Sequence, residues 1–253
     1  MQLALECPTP LLSEIQPLAD FDFCLSHLVL KDEEYANYYR KSNRVKILDN
    51  STNELLSPLS LEEIKQAADI VKPNFVVAPD FLGDGVTTIE SLKKALHYWD
   101  QSMLIPVIQG STIQEVINCL KEIVRLNFCA RLAVPFDILT NRSASLEDMA
   151  KGRRMVIHML DMSYTQYPID SIHLLGVTTL EELKSYDTYP QVESVDTGSP
   201  VLHGLKGLRY GRDRLLDKST PTMNRMPNNY ILGLENIYYN ISYLRKYTSG
   251  AGL

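Results

Sequence analysis

Six short apolar runs in this 253-residue chain each end in a polar residue or a glycine that is suited to chemistry. Two carboxylates at such ends can act on one bond as nucleophile and as acid or base. A carboxylate beside an amide can recognise the hydrogen-bonding edge of a flat ligand. The residues that end the six runs are Asp49, Asp80, Gln109 with Gly110, Asp137, Gly176 and Asp196.

Helix signals follow most of these runs, which indicates strands that alternate with helices. After Thr112, apolar residues recur at helical spacing from Ile113 to Val124. The apolar runs themselves are nearly continuous, as is typical of parallel strands covered by helices. Because the carboxyl ends of parallel strands meet at one rim, the six ends are expected to face a shared crevice. Capping-box patterns occur at Ser60 with Glu63, Thr87 with Glu90, Thr112 with Glu115 and Thr179 with Glu182, and a weaker one at Ser145 with Asp148.

The pattern predicts a TIM-like (β/α)8 barrel that forms a single domain over residues 1–253. Counting Phe23–Leu30 as the first strand and Val192–Asp196 as the last gives about seven strands. An eighth is expected between Val201 and Tyr210, or around Tyr230–Leu232. A doubly wound open sheet is the alternative, although that fold usually has a glycine-rich phosphate turn, and the sequence contains none.

Composition favours a cytoplasmic protein. No apolar stretch approaches the roughly 20 residues that a membrane span needs, and the N-terminus lacks the pattern of a signal peptide. The net charge of −6 gives no overall attraction to nucleic acid, which leaves a local basic patch possible. The spacing of the cysteines does not match a zinc site, so we expect buried free thiols at Cys7, Cys24, Cys119 and Cys129.

The segment from about 200 to 229 is basic and rich in prolines and glycines. Six cations against Asp213 and Asp217 leave a local charge of +4. Such a segment is either a solvated loop or a phosphate-binding surface. An aromatic-rich helix over Tyr230–Tyr247 is expected to pack on the barrel wall. The cations are Lys206, Arg209, Arg212, Arg214, Lys218 and Arg225.

Taken together, the strand-end motifs resemble those of the tRNA-guanine transglycosylase superfamily. Each motif is weak alone, but six in this order over about 150 residues form a more specific signature. The resemblance implies a (β/α)8 barrel that exchanges a guanine base in nucleic acid for a 7-deazaguanine. The motifs are Ile47-Leu-Asp49-Asn-Ser-Thr, Ala78-Pro-Asp80, Val107-Ile-Gln109-Gly110, Leu132-Ala-Val134, Leu174-Leu-Gly176-Val and Ser194-Val-Asp196-Thr-Gly-Ser-Pro200.

The resemblance assigns the chemistry to two aspartates. Asp196 matches the nucleophile, and Asp49 matches the second catalytic carboxylate, with an acid/base role. Replacing a base at C1′ with retained stereochemistry requires two displacements, as in retaining glycosidases. The structural alternatives are a helix cap for Asp196 and a turn residue for Asp49. Gly198-Ser-Pro200 looks like a shaped loop, which favours the catalytic interpretation of Asp196, and Glu54 could support the Asp49 loop.

The remaining motifs match positions that hold the base. Asp80 and Gln109 would read the guanine edge, and Gly110 would let the backbone approach a flat ligand. Val134 stands where the family contacts the 7-substituent through the backbone, and Gly176 would form a pocket wall. The family commonly has glycine where this sequence has Pro135, which leaves recognition of that substituent open. For Asp137, after the same strand, we favour a structural role.

Two departures indicate a particular branch of the superfamily. The zinc motif that the bacterial and eukaryotic tRNA enzymes carry after the nucleophilic strand is missing, and the chain has no room for the RNA-binding modules of the archaeal enzymes. A compact, zinc-free member resembles the DpdA-type enzymes of phages and bacteria, which act on DNA. On that basis the partners are DNA and a free 7-deazaguanine base, with a possible homodimer and no cofactor or metal. If a phage encodes the protein, its setting would be the host cytoplasm.

Other functions remain open from the sequence. The same exchange could act on tRNA, or the chain could be a non-catalytic nucleic-acid-binding subunit, although such subunits tend to lose one of the two carboxylates. An unrelated barrel, such as an aldolase, would usually show a strand-end lysine or a glycine-rich phosphate loop. His203 is interpreted as a loop or phosphate-contacting residue. The other histidines, which are His27, His97, His158 and His173, are expected to be ordinary core or surface residues.

Overall fold

The computed structural model describes residues 1–141, 143–214 and 230–248. Within these ranges, eight strands form two four-stranded parallel sheets, in the orders β1-β8-β7-β6 and β2-β3-β4-β5. The predicted parallel α/β fold is confirmed. The strands are β1 (Gln2–Leu5), β2 (Asp22–Leu25), β3 (Lys46–Asp49), β4 (Phe75–Val77), β5 (Leu104–Ile105), β6 (Leu132–Pro135), β7 (Ile172–Leu175) and β8 (Val192–Thr197).

Helices connect the strands, as parallel pairing requires. Short 3-10 turns occur at Thr9–Leu11, Gln16–Leu18 and Gln101–Met103. The α-helices in the described ranges are α1 (Leu12–Ile15), α2 (Ser26–Lys31), α3 (Glu33–Lys41), α4 (Thr52–Leu55), α5 (Leu61–Val71), α6 (Gly85–Ala95), α7 (Ile113–Arg125), α8 (Leu146–Met162), α9 (Leu180–Lys184), α10 (Ser199–Leu205) and α11 (Tyr230–Thr248).

The eighth strand lies at the N-terminus, so both predicted positions are wrong. Strand β1 pairs with β8 in parallel, with Ala4 opposite Asp196. Residues 199–205 instead form α10, because Pro200 suits the first turn of a helix, and residues 230–248 form α11. Strand β1 is as short as several strands that were identified, but the prolines Pro8 and Pro10 follow it in place of a capping-box pattern, so the sequence does not mark it as a strand.

The predicted first strand is also corrected. The apolar run Phe23–Leu30 is divided between β2, which ends at Leu25, and α2, which begins at Ser26. An apolar run of this length fits a buried strand or a buried helix equally well.

Two sets of backbone contacts join the sheets. Val107 and Ala133 form an isolated parallel bridge, and Ala133 N–H donates to the Pro106 carbonyl at 2.8 Å. On the other side, Asp20 N–H donates to the Leu3 carbonyl at 2.7 Å, and Leu3 N–H donates to Asp20 Oδ2 at 2.7 Å. Each sheet therefore contacts the other at both of its edges.

Side-chain caps explain where several helices begin. Complete capping boxes are present at Ser60 with Glu63 and at Thr112 with Glu115, as predicted. The expected box at Thr87 is wrong, because the Asp84 side chain caps α6 and accepts a hydrogen bond from Thr87 N–H. Asp84 precedes Gly85, so the helix starts three residues earlier than the sequence pattern indicates. Thr179 and Ser145 cap α9 and α8 as expected.

Apolar side chains fill the space within and behind the strands in one continuous cluster. All four cysteines are free thiols, of which Cys7, Cys24 and Cys119 are buried and Cys129 is half-buried. The expectation of buried thiols is thus confirmed for three, while Cys129 lies in the turn before β6. Among the described residues, no helix has the length and apolar character to cross a membrane.

Helix α11 packs closely on α10, at a contact that requires a glycine. A Cβ atom on Gly204 would lie 2.6 Å from the Ile237 nitrogen and 2.8 Å from its Cα. These are backbone atoms, which cannot move away as a flexible side chain can. The side chain of Asn240 strengthens the same contact by donating to the carbonyls of Pro200 and Leu208 at 3.2 and 3.0 Å.

We expect Gly204→Ala to lower the free energy of unfolding by about 2–3 kcal/mol, because the added methyl forces α11 away from α10. Urea denaturation measures this change. Ser242→Ala, at an exposed position on α11, is the control and should stay within about 0.5 kcal/mol of the parent protein. Equal stability of the two variants would contradict the close packing described above.

Candidate active site

Four of the predicted site residues lie buried at or after the carboxyl ends of strands. Asp49 ends β3, Asp80 follows β4, Gln109 follows β5 and Asp196 is the second-last residue of β8. Parallel pairing places these ends on one side of the sheets, as the sequence indicated. We call Asp49, Asp80, Asp196, Glu6 and Glu54 the carboxylate cluster, since electrostatic interactions connect their side chains.

Asp196 is held by groups of the neighbouring strand β7. Its Oδ1 accepts a hydrogen bond from Gly176 N–H at 3.2 Å and lies 3.1 Å from His173 Nε2. Gly198 begins helix α10 without a side-chain cap, so Asp196 does not cap that helix. The interpretation of Gly198-Ser-Pro200 as a loop is wrong, yet the side chain of Asp196 faces the rim.

Asp49 combines a turn role with a place in the cluster. Its Oδ2 accepts a hydrogen bond from Ser51 N–H at 2.7 Å, and Ser51 adopts a left-handed conformation with φ 64°. The pKa of Asp49 is raised well above its usual value, chiefly by burial and then by the negative charges of Glu54 and Asp196. A carboxyl group that holds a proton near neutral pH can act as a general acid.

Asp80 and Gln109 contact each other directly. Gln109 Nε2 donates to Asp80 Oδ2 at 2.5 Å, and Asn50 Nδ2 donates to Asp80 Oδ1 at 2.8 Å. The backbone N–H of Gly83 donates to Gln109 Oε1 at 3.1 Å, which fixes the orientation of the amide. Burial raises the pKa of Asp80, and the hydrogen bonds from Gln109 and Asn50 oppose that rise.

Glu6 is a member of the cluster that the sequence did not reveal. It follows β1, and its backbone N–H continues the β1–β8 ladder by donating to the Thr197 carbonyl at 3.1 Å. Its side chain forms a hydrogen bond with Asp196, and its pKa is raised well above the usual value by burial and by the charge of Asp196. The proximity of these acidic groups favours the protonated form of Glu6. Recognising β1 as a strand would have identified Glu6.

His173 is the second residue that sequence reasoning missed. It was expected to be an ordinary core or surface histidine, but its ring lies beside Asp196 within β7. It precedes Gly176 by three residues, and its strand pairs with β8 so that His173 is opposite Ser194. The sequence did contain one signal for His173, because this histidine lies in a strand that ends next to Gly176, a predicted site residue.

The two glycines and Val134 have structural contacts of their own, and their expected contacts with a base stay predictions. A Cβ atom on Gly110 would lie 2.7 Å from the Val116 nitrogen, so this glycine permits close contact with α7. Gly176 donates its N–H to Asp196. Val134 is buried within the β6–β7 ladder, opposite Leu174. Asp137 is buried after β6, and its charge acts to raise the pKa of Asp80.

A buried ion pair supports the loop that carries Gly176. Arg153 on α8 forms two hydrogen bonds with Glu182, at 2.7 and 2.8 Å, and both side chains are fully buried. The same guanidinium donates to the carbonyls of Leu175 and Gly176 at 3.1 and 2.8 Å. The hydroxyls of Thr178 and Tyr186 complete the hydrogen bonding of Glu182. Sequence reasoning did not identify this pair.

The basic segment is partly engaged within the chain. Arg209 donates to Asn236 Oδ1 and to Glu235 Oε1, each at 2.6 Å, so it anchors the segment to α11. His203 is buried and contacts the Ser199 carbonyl, at variance with a phosphate-contacting role. Within the described part of this segment, residues 200–214, the exposed cations are Lys206, Arg212 and Arg214. Lys218 and Arg225 lie outside the described residues.

Residues 1–141, 143–214 and 230–248 contain no group of three or more His, Cys, Asp or Glu side chains that could hold a metal ion. The carboxylates of the cluster are instead linked by hydrogen bonds to amides, backbone N–H groups and a histidine. Such an arrangement can present one ionised carboxylate as a nucleophile and keep a neighbouring carboxyl protonated.

We expect Asp49→Asn to stabilise the protein at high pH. A carboxyl whose pKa is raised on folding stabilises the folded state fully below its unfolded pKa, and that contribution is lost as the pH rises through the folded value. Asparagine cannot ionise and can still accept from Ser51 N–H. The variant should therefore match the parent at pH 4 and exceed its unfolding free energy by about 1–2 kcal/mol at pH 8.

Urea denaturation at a series of pH values between 4 and 8 measures this difference. Asp100→Asn, which alters an exposed carboxylate, is the matched control and should show no such divergence. A stability difference at pH 8 that is zero or negative for Asp49→Asn would contradict the raised pKa.

Comparison with known proteins does not identify a family for this chain. A scan against protein-family models and a search of curated proteins gave no match to this chain. The resemblance to the transglycosylases therefore depends on the strand-end motifs, and the function must be argued from the side chains that these motifs bring to one rim.

Proposed function

We propose that this protein exchanges guanine in nucleic acid, with DNA as the favoured substrate, for a free 7-deazaguanine base. One observation carries the proposal. Asp196 and Asp49, the two residues that match catalytic carboxylates, are buried close enough for the charge of one to raise the pKa of the other. Beside them, Asp80 and Gln109 form the pair expected to read a purine.

The reaction takes two displacements at C1′. Asp196 attacks the anomeric carbon while the bond to guanine N9 breaks, and the protonated Asp49 supplies the proton that the departing base needs. The incoming 7-deazaguanine then gives its N9 proton back to Asp49 and displaces Asp196. Two inversions give overall retention. The raised pKa of Asp49 supports this division of roles between the two carboxylates.

Asp80 and Gln109 supply the groups that select a guanine-like base. Guanine presents an N1–H, an exocyclic amine and the O6 oxygen on one edge. The Asp80 carboxylate can accept from the two donors, and the Gln109 amide can donate to O6. Adenine lacks the N1–H donor and would leave a buried carboxylate oxygen without a partner, which is the kind of mismatch that sites discriminate against strongly.

A closed eight-stranded barrel is part of the proposal. The Val107–Ala133 bridge and the hydrogen bonds between Leu3 and Asp20 join the two sheets at both edges, which supports closure. In a closed barrel, the residues that follow every strand surround a single opening. Glu6 after β1 and Asp196 in β8 would then lie between β2 and β7 at that opening.

DNA is proposed on the chain's departures from the tRNA enzymes. The exposed cations Lys206, Arg212 and Arg214 are available to contact phosphates, whereas Arg209 is already paired with Glu235. An enzyme that acts at C1′ from a buried site must take the nucleotide out of the base stack. Lys206, Arg212 and Arg214 therefore stay predictions as phosphate-binding residues.

We expect Asp196→Asn to reduce base exchange by at least roughly 1,000-fold, because an amide cannot act as the nucleophile. Incorporation of labelled 7-deazaguanine into guanine-containing DNA measures the rate. Asp100→Asn is the control for an aspartate outside the site and should retain the parent rate. Normal incorporation by Asp196→Asn would disprove the assignment of the nucleophile.

The same assay distinguishes the nucleic acid. Parallel reactions with duplex DNA, single-stranded DNA and unmodified tRNA should show exchange in DNA at a higher kcat/KM than in tRNA. Exchange confined to tRNA would overturn the DNA assignment and keep the chemistry. A tRNA-guanine transglycosylase of known activity serves as the positive control for the assay. No exchange by this protein in any of the three nucleic acids, while the control enzyme is active on tRNA, would contradict the proposed function.

A further inference from the structure

His173 is fixed in position by contacts on several sides of its ring. Its Nδ1 lies 2.9 Å from Ser194 Oγ, and its Nε2 lies 3.1 Å from Asp196 Oδ1. The ring stacks on Phe23, with centroids 5.6 Å apart and an interplanar angle of 27°, and meets the edge of Phe21 at 6.1 Å. The side chain is almost completely buried. Few orientations other than this one are open to the imidazole.

The contacts of the ring accommodate a proton on Nε2. Oδ1 of Asp196 accepts from Gly176 N–H, and a carboxylate oxygen likewise accepts from His173 when Nε2 carries a proton. The Ser194 hydroxyl can either donate to Nδ1 or accept from it, so it is compatible with that proton position.

Two donors converge on one oxygen of Asp196. His173 Nε2–H and Gly176 N–H both reach Oδ1, at 3.1 and 3.2 Å. Arg153 holds the peptide that carries this N–H from its other side, by donating to the Leu175 carbonyl at 3.1 Å. The two carboxylate oxygens are therefore inequivalent before any substrate binds.

We infer that His173 is a positioning residue that, together with Gly176 N–H, holds Oδ1 of Asp196 so that Oδ2 is the oxygen that attacks. The inference rests on the proposed function and adds to it a residue outside the two catalytic carboxylates.

The electron balance gives His173 a role in both displacements. In the first, the Oδ2–C1′ bond forms, the C1′–N9 bond breaks and its electron pair leaves with guanine, which takes its proton from Asp49. Oδ1 becomes the carbonyl oxygen of the ester and retains both N–H donors. In the second, N9 of the incoming base forms a bond to C1′ and gives its proton to Asp49, while the C1′–Oδ2 bond breaks. The electron pair of the broken bond returns to the carboxylate, whose developing charge on Oδ1 is stabilised by the same donors.

Two substitutions separate the donor from the packing of the ring. His173→Phe keeps an aromatic ring against Phe23 and removes the proton donor, whereas His173→Gln keeps an N–H donor near the position of Nε2 and removes the ring. If His173 acts through its donor, kcat of His173→Phe falls roughly 10- to 100-fold with KM little changed. His173→Gln should recover much of that loss.

The covalent intermediate provides a readout that a purely structural role would not change. Because the second displacement loses stabilisation of its leaving group, the protein–nucleic acid adduct should accumulate in His173→Phe and stay low in His173→Gln. Denaturing gel electrophoresis of quenched reactions measures the adduct. His158→Phe, at an exposed position on α8, is the matched control and should behave as the parent protein.

NMR spectroscopy of the parent protein tests the proton position without any variant. The ¹⁵N shifts of His173 should show a proton on Nε2. An unprotonated Nε2, or parent-like kcat and adduct levels in His173→Phe, would overturn the inference. If the parent protein exchanges no base although Nε2 carries a proton, the proposed function fails. That outcome differs from a failure of the inference, because the contact between His173 and Asp196 is then intact.

Discussion

Parallel pairing of the strands is the constraint on which the site depends. Since every connection returns through a helix, each strand enters from the same side, and the residues that follow the strands share one rim. The rim collects acids from β1, β3, β4 and β8, of which Asp49, Asp80 and Asp196 are buried and Glu6 is half-buried. Like charges in such a place cannot all be ionised, so the fold itself imposes proton sharing on the cluster.

Neutral hydrogen-bond donors and a nearby buried ion pair stabilise the carboxylate cluster in the folded protein. Asn50 and Gln109 each donate to Asp80, and Gly176 N–H donates to Asp196. The Gly176 peptide is in turn held by Arg153, whose charge is neutralised by Glu182 in a fully buried pair. Breaking a buried pair of this kind exposes an uncompensated charge, which is why both partners must be present together. The pair thus connects the packing of α8 and α9 to the loop beside Asp196.

The sequence was sufficient for the parts of the fold that have a clear period or a complete local signal. The capping boxes at Ser60 and Thr112, the helical period after Thr112 and the buried strand end at Asp196 were all readable. Strand β1 was not, because prolines follow it in place of a helix signal, and Glu6 was missed with it. The run Phe23–Leu30 failed for the opposite reason, since an apolar segment of that length suits either a strand or a helix.

Contacts between residues distant in sequence account for the rest. His173 and Asp196 are 23 residues apart, and Arg153 and Glu182 are 29 apart. The sequence around His173 does not indicate Asp196 as its partner, and the sequence around Arg153 does not indicate Glu182. Gly110 illustrates the same limit, because its close approach to α7 is not evident from its local sequence.

The hydrogen bond between Asp80 and Gln109 has a consequence for the balance between affinity and selectivity. In the free protein each side chain already satisfies the other at 2.5 Å. A base that enters must exchange these hydrogen bonds for its own, so a well-matched base gains little net binding energy from them. A mismatched base, however, separates the pair without replacing what it breaks. Under the proposed function, the pair would act mainly by penalising wrong bases, with only a small contribution to holding the right one.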